Sequence, residues 1–170
     1  MPRGYDANVK PLRIINILIT FSTMTTAKKT SPNDSTAAAI DESVIPASHA
    51  DLLTRPLFVH LATKGPNGTP HVNPVWQEWD GEFLRFTTTT TRRKCKNVTA
   101  DPKVSVSVND PDQPYRYLEV RGTVERIDPD PTGAFFDVLA RRYGLEYEAP
   151  VGDAEHRVVL VVRPEHTTSQ

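Results

Sequence analysis

Phe86-Thr87-Thr88-Thr89-Thr90-Thr91-Arg92-Arg93-Lys94-Cys95-Lys96-Asn97, with Asn73-Pro74-Val75-Trp76 shortly before it, is the stretch around which the chain is organised. A strand rich in hydroxyls runs directly into three consecutive cations, Arg92, Arg93 and Lys94, at what reads as the first turn of a helix. Helix N-termini carry unpaired backbone N–H groups and the positive end of the helix dipole. Hydroxyls, Arg and Lys added at such a place make a cradle for an anion, phosphate being the usual one. Plainer readings exist for each part. A run of charge is more often a solvated helix end, a run of Thr reflects β-propensity, and Trp76 and Trp79 are as well suited to packing as to holding a ligand.

Outward from this stretch the pattern has a period of two. Leu57 to Thr63 reads as a strand, Lys64 to Thr69 as a Gly, Pro and Asn-Gly turn, and Pro70 to Trp79 as the next strand. Asp80-Gly81 is a two-residue hairpin signal leading into Glu82 to Thr87. After the basic helix, which ends near Asp101-Pro102, Val104, Val106 and Val108 alternate with Ser105 and Ser107 in a half-buried strand. Tyr115 to Ile127 is the longest expected strand, and Gly122 on its apolar face allows a bend or the close approach of another chain. Asp130 is expected to cap a helix with Pro131 at its first position and a buried stripe of Phe135, Phe136, Leu139 and Tyr143. Pro150 to Glu155 is loop. Val158 to Val162, apolar on both faces, is a final strand that would meet a partner as well as the core.

Six short antiparallel strands with two or three short helices predict a mainly β fold, a closed or split barrel that hides its edges. Upstream, Ser48 is a candidate cap for a short helix over His49 to Thr54. Residues 1–47 read as a disordered leader or an over-extended start, 48–166 as the barrel domain and 167–170 as a tail. The apolar run Ile14 to Phe21 falls short of the roughly 20 residues that span a bilayer, and it lacks a clean signal-peptide cleavage site.

The 170 residues make one domain, with 20 Lys+Arg against 21 Asp+Glu. This balance gives no ground for a nucleic-acid or membrane-surface partner, so anion binding has to be local. Cys95 stands alone, which rules out a disulfide or a Cys-based metal cluster within one chain and suits a cytoplasmic setting. The five His residues have no paired spacing, so no metal site is expected.

Gly68 to Trp76, then Phe86-Thr87-Thr88, Arg92-Arg93-Lys94 with Asn97, and Asp101-Pro102-Lys103-Val104-Ser105-Val106, in this order, resemble the pyridoxamine-phosphate-oxidase-like family. Its members are FMN-binding split barrels of Greek-key form, and the likeness covers roughly residues 50–165. The Pro-Val-Trp strand, the Thr-rich strand end and the basic helix start look most like the branch that uses the deazaflavin coenzyme F420 in place of FMN. The resemblance implies a homodimer with cofactor sites at the subunit interface. It places Asn73, Pro74, Val75, Trp76 and Gln77 along the tricyclic ring, Thr87 and Thr88 beside the ribityl chain or phosphate, and Arg93 with Lys94 on the phosphate, and it counts Asn97 among the cofactor-binding residues. The chain departs from the FMN oxidases in having Asn73 and Glu78 where those carry basic residues, and Arg163-Pro164-Glu165-His166 is at most a remnant of their C-terminal substrate segment.

The activity so implied is F420-dependent hydride transfer to a small conjugated or unsaturated molecule. An FMN-dependent oxidase-like enzyme and a non-catalytic flavin or deazaflavin carrier are the alternatives. No catalytic side chain is required, because the cofactor brings the redox chemistry. His71 and Tyr117 are possible proton donors whose spacing demands nothing.

Overall fold

The computed structural model describes residues 44–170. Of the segment read as leader, only residues 44–47 fall within this range, and Ile45 is already buried in the core there. The remainder of that segment, with the apolar run Ile14 to Phe21, lies outside the described residues. Among the described residues no helix is long and apolar enough to cross a membrane.

Seven strands form one antiparallel sheet: β1 (Val59–Lys64), β2 (Pro70–Val75), β3 (Glu78–Trp79), β4 (Leu84–Thr89), β5 (Lys103–Asn109), β6 (Tyr117–Pro129) and β7 (Arg157–Ser169). Their order is β2-β1-β5-β6-β7-β4-β3. The strand expected over Pro70 to Trp79 is thus divided at Trp76-Gln77, and its two halves stand at opposite edges of the sheet. Three peptide links join Val75 to Glu78, and at 3.8 Å each they span at most about 11 Å. The two edges must therefore approach that closely, which curls the sheet into a split barrel. Pro74 is tolerated because β2 is an edge strand, paired only with β1.

Among the described residues there are three short α-helices, besides two single 3-10 turns at Ala47–His49 and Ala154–His156. α1 (Asp51–Thr54) precedes β1, α2 (Arg93–Ala100) joins β4 to β5, and α3 (Ala134–Arg142) joins β6 to β7. The core is filled by inward residues of every long strand, Leu61, Phe86, Val106, Leu118 and Leu160 among them. It matches the alternation read from Val104, Val106 and Val108, all buried.

Several local expectations are corrected. Ser48 does not cap α1; its hydroxyl meets His49 Nδ1 at 2.9 Å, and α1 is a single turn whose last carbonyls receive Arg142 Nη2 at 2.8 to 3.0 Å. The turn after β3 takes four residues rather than two, because Asp80 Oδ1 accepts from the N–H of Glu82 (2.9 Å) and of Phe83 (2.7 Å) and Trp79 pairs with Leu84. α3 begins at Ala134 after Gly133, whose φ of 73° suits only glycine, so Pro131 is not its first residue. Asp130 still caps it, accepting from the N–H of Phe135 (3.2 Å) and Phe136 (3.4 Å).

β7 is far longer than expected, running from Arg157 to Ser169 through residues read as a tail. Both faces of Val158 to Val162 are buried within one chain: Leu160 and Val162 enter the main core, while Val159 and Val161 pack with Phe83 and Phe135. The second apolar face therefore needs no partner subunit. Gly122 does mark a close approach, but to the Arg163 carbonyl of the neighbouring β7, where the ladder slips register.

Candidate functional site

A cleft of about 220 Å³ opens where the chain crosses between the sheet edges. Pro74, Val75 and Trp76 form one wall and Thr87 and Thr88 of β4 the floor. Arg92 and Lys94 reach it from the start of α2, Arg157 from the start of β7, and the aromatic rings of Phe58 and Phe136 close the rest. The parts converge because of register. Thr87, Thr88 and Thr89 pair with Val159, Val158 and Arg157, so the end of β4 that launches α2 lies beside the beginning of β7.

The charge in this cleft is unbalanced. Arg92 is the N-cap residue of α2 and offers no side-chain cap. Lys94 is only 9% exposed, yet among the described residues it has no ion pair and no hydrogen bond. Burial, and then the neighbouring Arg92 charge, hold its pKa below the usual lysine value. A largely buried lysine whose cation has no counter-charge is partly desolvated without compensation, and an anion placed beside it would offset that cost. Thr88 Oγ1 is buried in the same lining without a partner, a second polar atom left for a ligand. Thr87 Oγ1 accepts from Arg157 Nη1 at 2.9 Å.

Beyond this cleft lies an outer basin of about 440 Å³ lined by His71, Asn73, Pro74, Arg92, Arg93 and Lys94. The two cavities share Pro74, Arg92 and Lys94 and contain no carboxylate. His71 Nδ1 is buried there without a partner.

The wall is stiffened from behind. The Trp76 ring stacks on Tyr143 with centroids 5.2 Å apart and planes at 13°, and lies 5.7 Å from Phe136. The Tyr143 hydroxyl donates to the Leu57 carbonyl at 2.8 Å and accepts from the Gln77 N–H at 3.1 Å, fixing the crossing segment.

Of the residues expected at the site, Pro74, Val75, Trp76, Thr87, Thr88 and Lys94 line the cleft, while Asn73 and Arg93 line the outer basin. Gln77 and Asn97 line neither. The Gln77 side chain is fully buried and donates to the Leu53 carbonyl at 2.7 Å. Asn97 Nδ2 donates to Thr63 Oγ1 at 3.0 Å, tying α2 to β1. Tyr117, across from Asn109 in the β5–β6 ladder, also lies outside both cavities. Cys95 is buried, and burial pushes its thiol pKa up, so the adjacent cations do not make it a reactive thiolate.

Sequence reasoning missed Phe58, Phe136 and Arg157. Phe136 belongs to the stripe the sequence predicts to be buried, and Arg157 lies far along the chain from the Thr run, so only the β4–β7 register brings it in.

The sequence model of the family described as pyridoxamine 5'-phosphate oxidase matches residues 45–170. No curated protein matches. Among solved structures, one named F420 reductase is 55% identical to this chain, covers 74% of it and 100% of its own length, and superposes with a TM-score of 0.72. A conserved hypothetical protein, Rv2991 of Mycobacterium tuberculosis, is 28% identical over 72% of this chain and 82% of its own, with a TM-score of 0.59. HupZ of Group A Streptococcus, at 17% identity and a TM-score of 0.54 over 74% of this chain and 93% of its own, shares the fold.

Proposed function

The chain belongs to the pyridoxamine 5'-phosphate oxidase family, and from that premise we propose that it is an oxidoreductase that binds coenzyme F420 in the cleft and transfers hydride to a small conjugated or unsaturated organic substrate. The observation that carries this is Lys94, buried, cationic and unpaired beside the partnerless Thr88 hydroxyl. These groups fit a phosphate. Lys94, Arg92 and the two Thr hydroxyls would hold it, and the rigid Pro74-Val75-Trp76 wall would hold the flat ring.

F420 is favoured over FMN by the outer basin. FMN ends at its phosphate, whereas the phosphate of F420 is a diester that continues into a carboxylate-bearing tail. A basin lined by Arg92, Arg93 and His71, reached past Lys94, suits a ligand that extends beyond its phosphate. The likeness to a protein named F420 reductase supports the same choice.

When bound, F420 supplies hydride transfer from a carbon that takes the place of the flavin N5. The chain's part is to anchor the anion, orient the ring and exclude water with Phe58, Trp76 and Phe136. A homodimer with cofactor sites at the interface and a cytoplasmic setting belong to the same proposal. Phe58, 58% exposed at the cleft, and Val72, 52% exposed on edge strand β2, support a partner on this side. Sedimentation at micromolar concentration tests this, and a monomer counts against it.

The enzymatic proposal is tested by supplying reduced F420 and a conjugated acceptor and following the return of deazaflavin absorbance. Protein-dependent reoxidation supports it. Tight binding without turnover selects a carrier instead, and flavin absorbance in the protein as purified selects FMN.

A further inference from the structure

Arg157 is 8% exposed and its guanidinium is fixed from three sides. Nε donates to Asp153 Oδ1 at 2.8 Å, Nη1 donates to Thr87 Oγ1 at 2.9 Å, and Cζ lies 4.1 Å from the centre of the Phe136 ring. A guanidinium has five N–H donors. The remaining ones have no protein acceptor among the described residues, although the side chain lines the cleft. Arg116 behaves otherwise, with both terminal nitrogens on aspartates.

The bond to Thr87 has a direction. Arginine can only donate, so it occupies a lone pair of Thr87 Oγ1 and the hydroxyl proton is left without a protein acceptor. We propose that Arg157 is a positioning residue for the anionic ligand of the cleft: Asp153 and Phe136 hold its guanidinium so that Thr87 presents its proton to the ligand. This rests on the cleft being the cofactor site and adds a residue that acts through another. The ligand class is an anion or another electron-rich oxygen acceptor, because a hydroxyl so held is a donor. Asp153 matches part of the Arg157 charge, so the device adds a directed donor with less net charge than Arg92 and Lys94 bring.

The test is a double-mutant cycle on the full chain, read by F420 titration and by the thermal midpoint without ligand. Thr87→Val removes the hydroxyl at nearly constant shape. Arg157→Lys keeps the charge but loses the fork that reaches Asp153 and Thr87 together. Each is expected to weaken F420 binding about tenfold, and the double variant also about tenfold rather than a hundredfold, because both remove one donor. Thr87→Ser, which restores the hydroxyl, is expected to bind within about twofold of the unaltered chain, a recovery that a packing role for Thr87 would not give. Additive losses, an unchanged Arg157→Lys, or losses that follow the thermal midpoint overturn the proposal while leaving the site in place. Failure of the unaltered chain to bind F420 overturns the site and this proposal together.

Discussion

Arg116 and Lys94 stand in two clusters of cations that are completed in opposite ways. Around Arg116, Nη2 lies 2.5 Å from Asp51 and Nη1 2.9 Å from Asp110, while Arg55 meets Asp110 at 3.2 Å and Asp112 at 3.1 Å. Arg116 also donates to the Ser48 carbonyl at 2.6 Å, so the network pins the first described turn of the chain to the β5–β6 connection. Around Lys94, the side chains of Arg92, Arg93 and Lys94 have no carboxylate and no hydrogen bond among the described residues, although Lys94 is buried. The first cluster is finished by its own chain. The second has no counter-charge among the described residues, and that difference, more than the number of cations, is what marks it as the proposed anion site.

The largest expected effect follows from removing the cation that lacks a partner. Lys94→Ala should weaken F420 binding by more than tenfold, on the order of a hundredfold, since a charge-assisted phosphate contact is worth a few kcal/mol. The ligand-free thermal midpoint should hold, because the Lys94 cation has no hydrogen bond or ion pair among the described residues whose loss would cost stability. Titration and thermal melts on the same samples check both halves.

Asp110→Asn should invert the result. Asp110 is buried between Arg55 and Arg116, so its loss should lower the thermal midpoint by several degrees and leave F420 affinity unchanged. Loss of affinity without loss of stability in this variant would erase the distinction between the clusters.

The two clusters should also answer to opposite ends of the pH scale. Asp51 and Asp110 titrate below the usual carboxylate range, Asp51 chiefly through the Arg116 hydrogen bond and Asp110 chiefly through the Asp112 N–H. Their contribution to stability is complete above the unfolded carboxylate pKa and is lost as pH falls through the lowered values. Lys94 is held below the usual lysine value, so its charge is lost earlier on the alkaline side. F420 affinity should therefore decline as pH rises through that lowered pKa, and Lys94→Arg should remove the decline. Titrations across pH with melts in parallel would show whether the two responses separate.

Arg93→Ala should have the smallest effect. It lines only the outer basin of the two, so a few-fold loss is expected for F420 and none for FMN. Equal losses for both would show that the basin does not read the tail.

Much of this architecture was legible in the sequence. The alternation of Val104, Val106 and Val108 and the hydroxyl run into Arg92-Arg93-Lys94 are local patterns, and each forms the element it predicts. What the local patterns do not show is set by tertiary contact. The division of Pro70 to Trp79 at Trp76-Gln77 comes from barrel closure, which no local period encodes. Gln77 directly follows cleft-lining Trp76 and Asn97 lies one helical turn past Arg93, but their side chains turn to Leu53 and Thr63. Arg157 enters through strand pairing alone. The apolar second face of β7 belongs to Phe83 and Phe135 because α3 and the turn before β4 fold over it.

The measurement that reaches furthest is a parallel titration of the purified, ligand-free protein with F420 and with FMN. F420 is expected to bind at micromolar concentration or tighter and FMN at least about tenfold more weakly, roughly 1.4 kcal/mol apart. Binding of FMN equal to or tighter than that of F420, or binding of neither, would contradict the account.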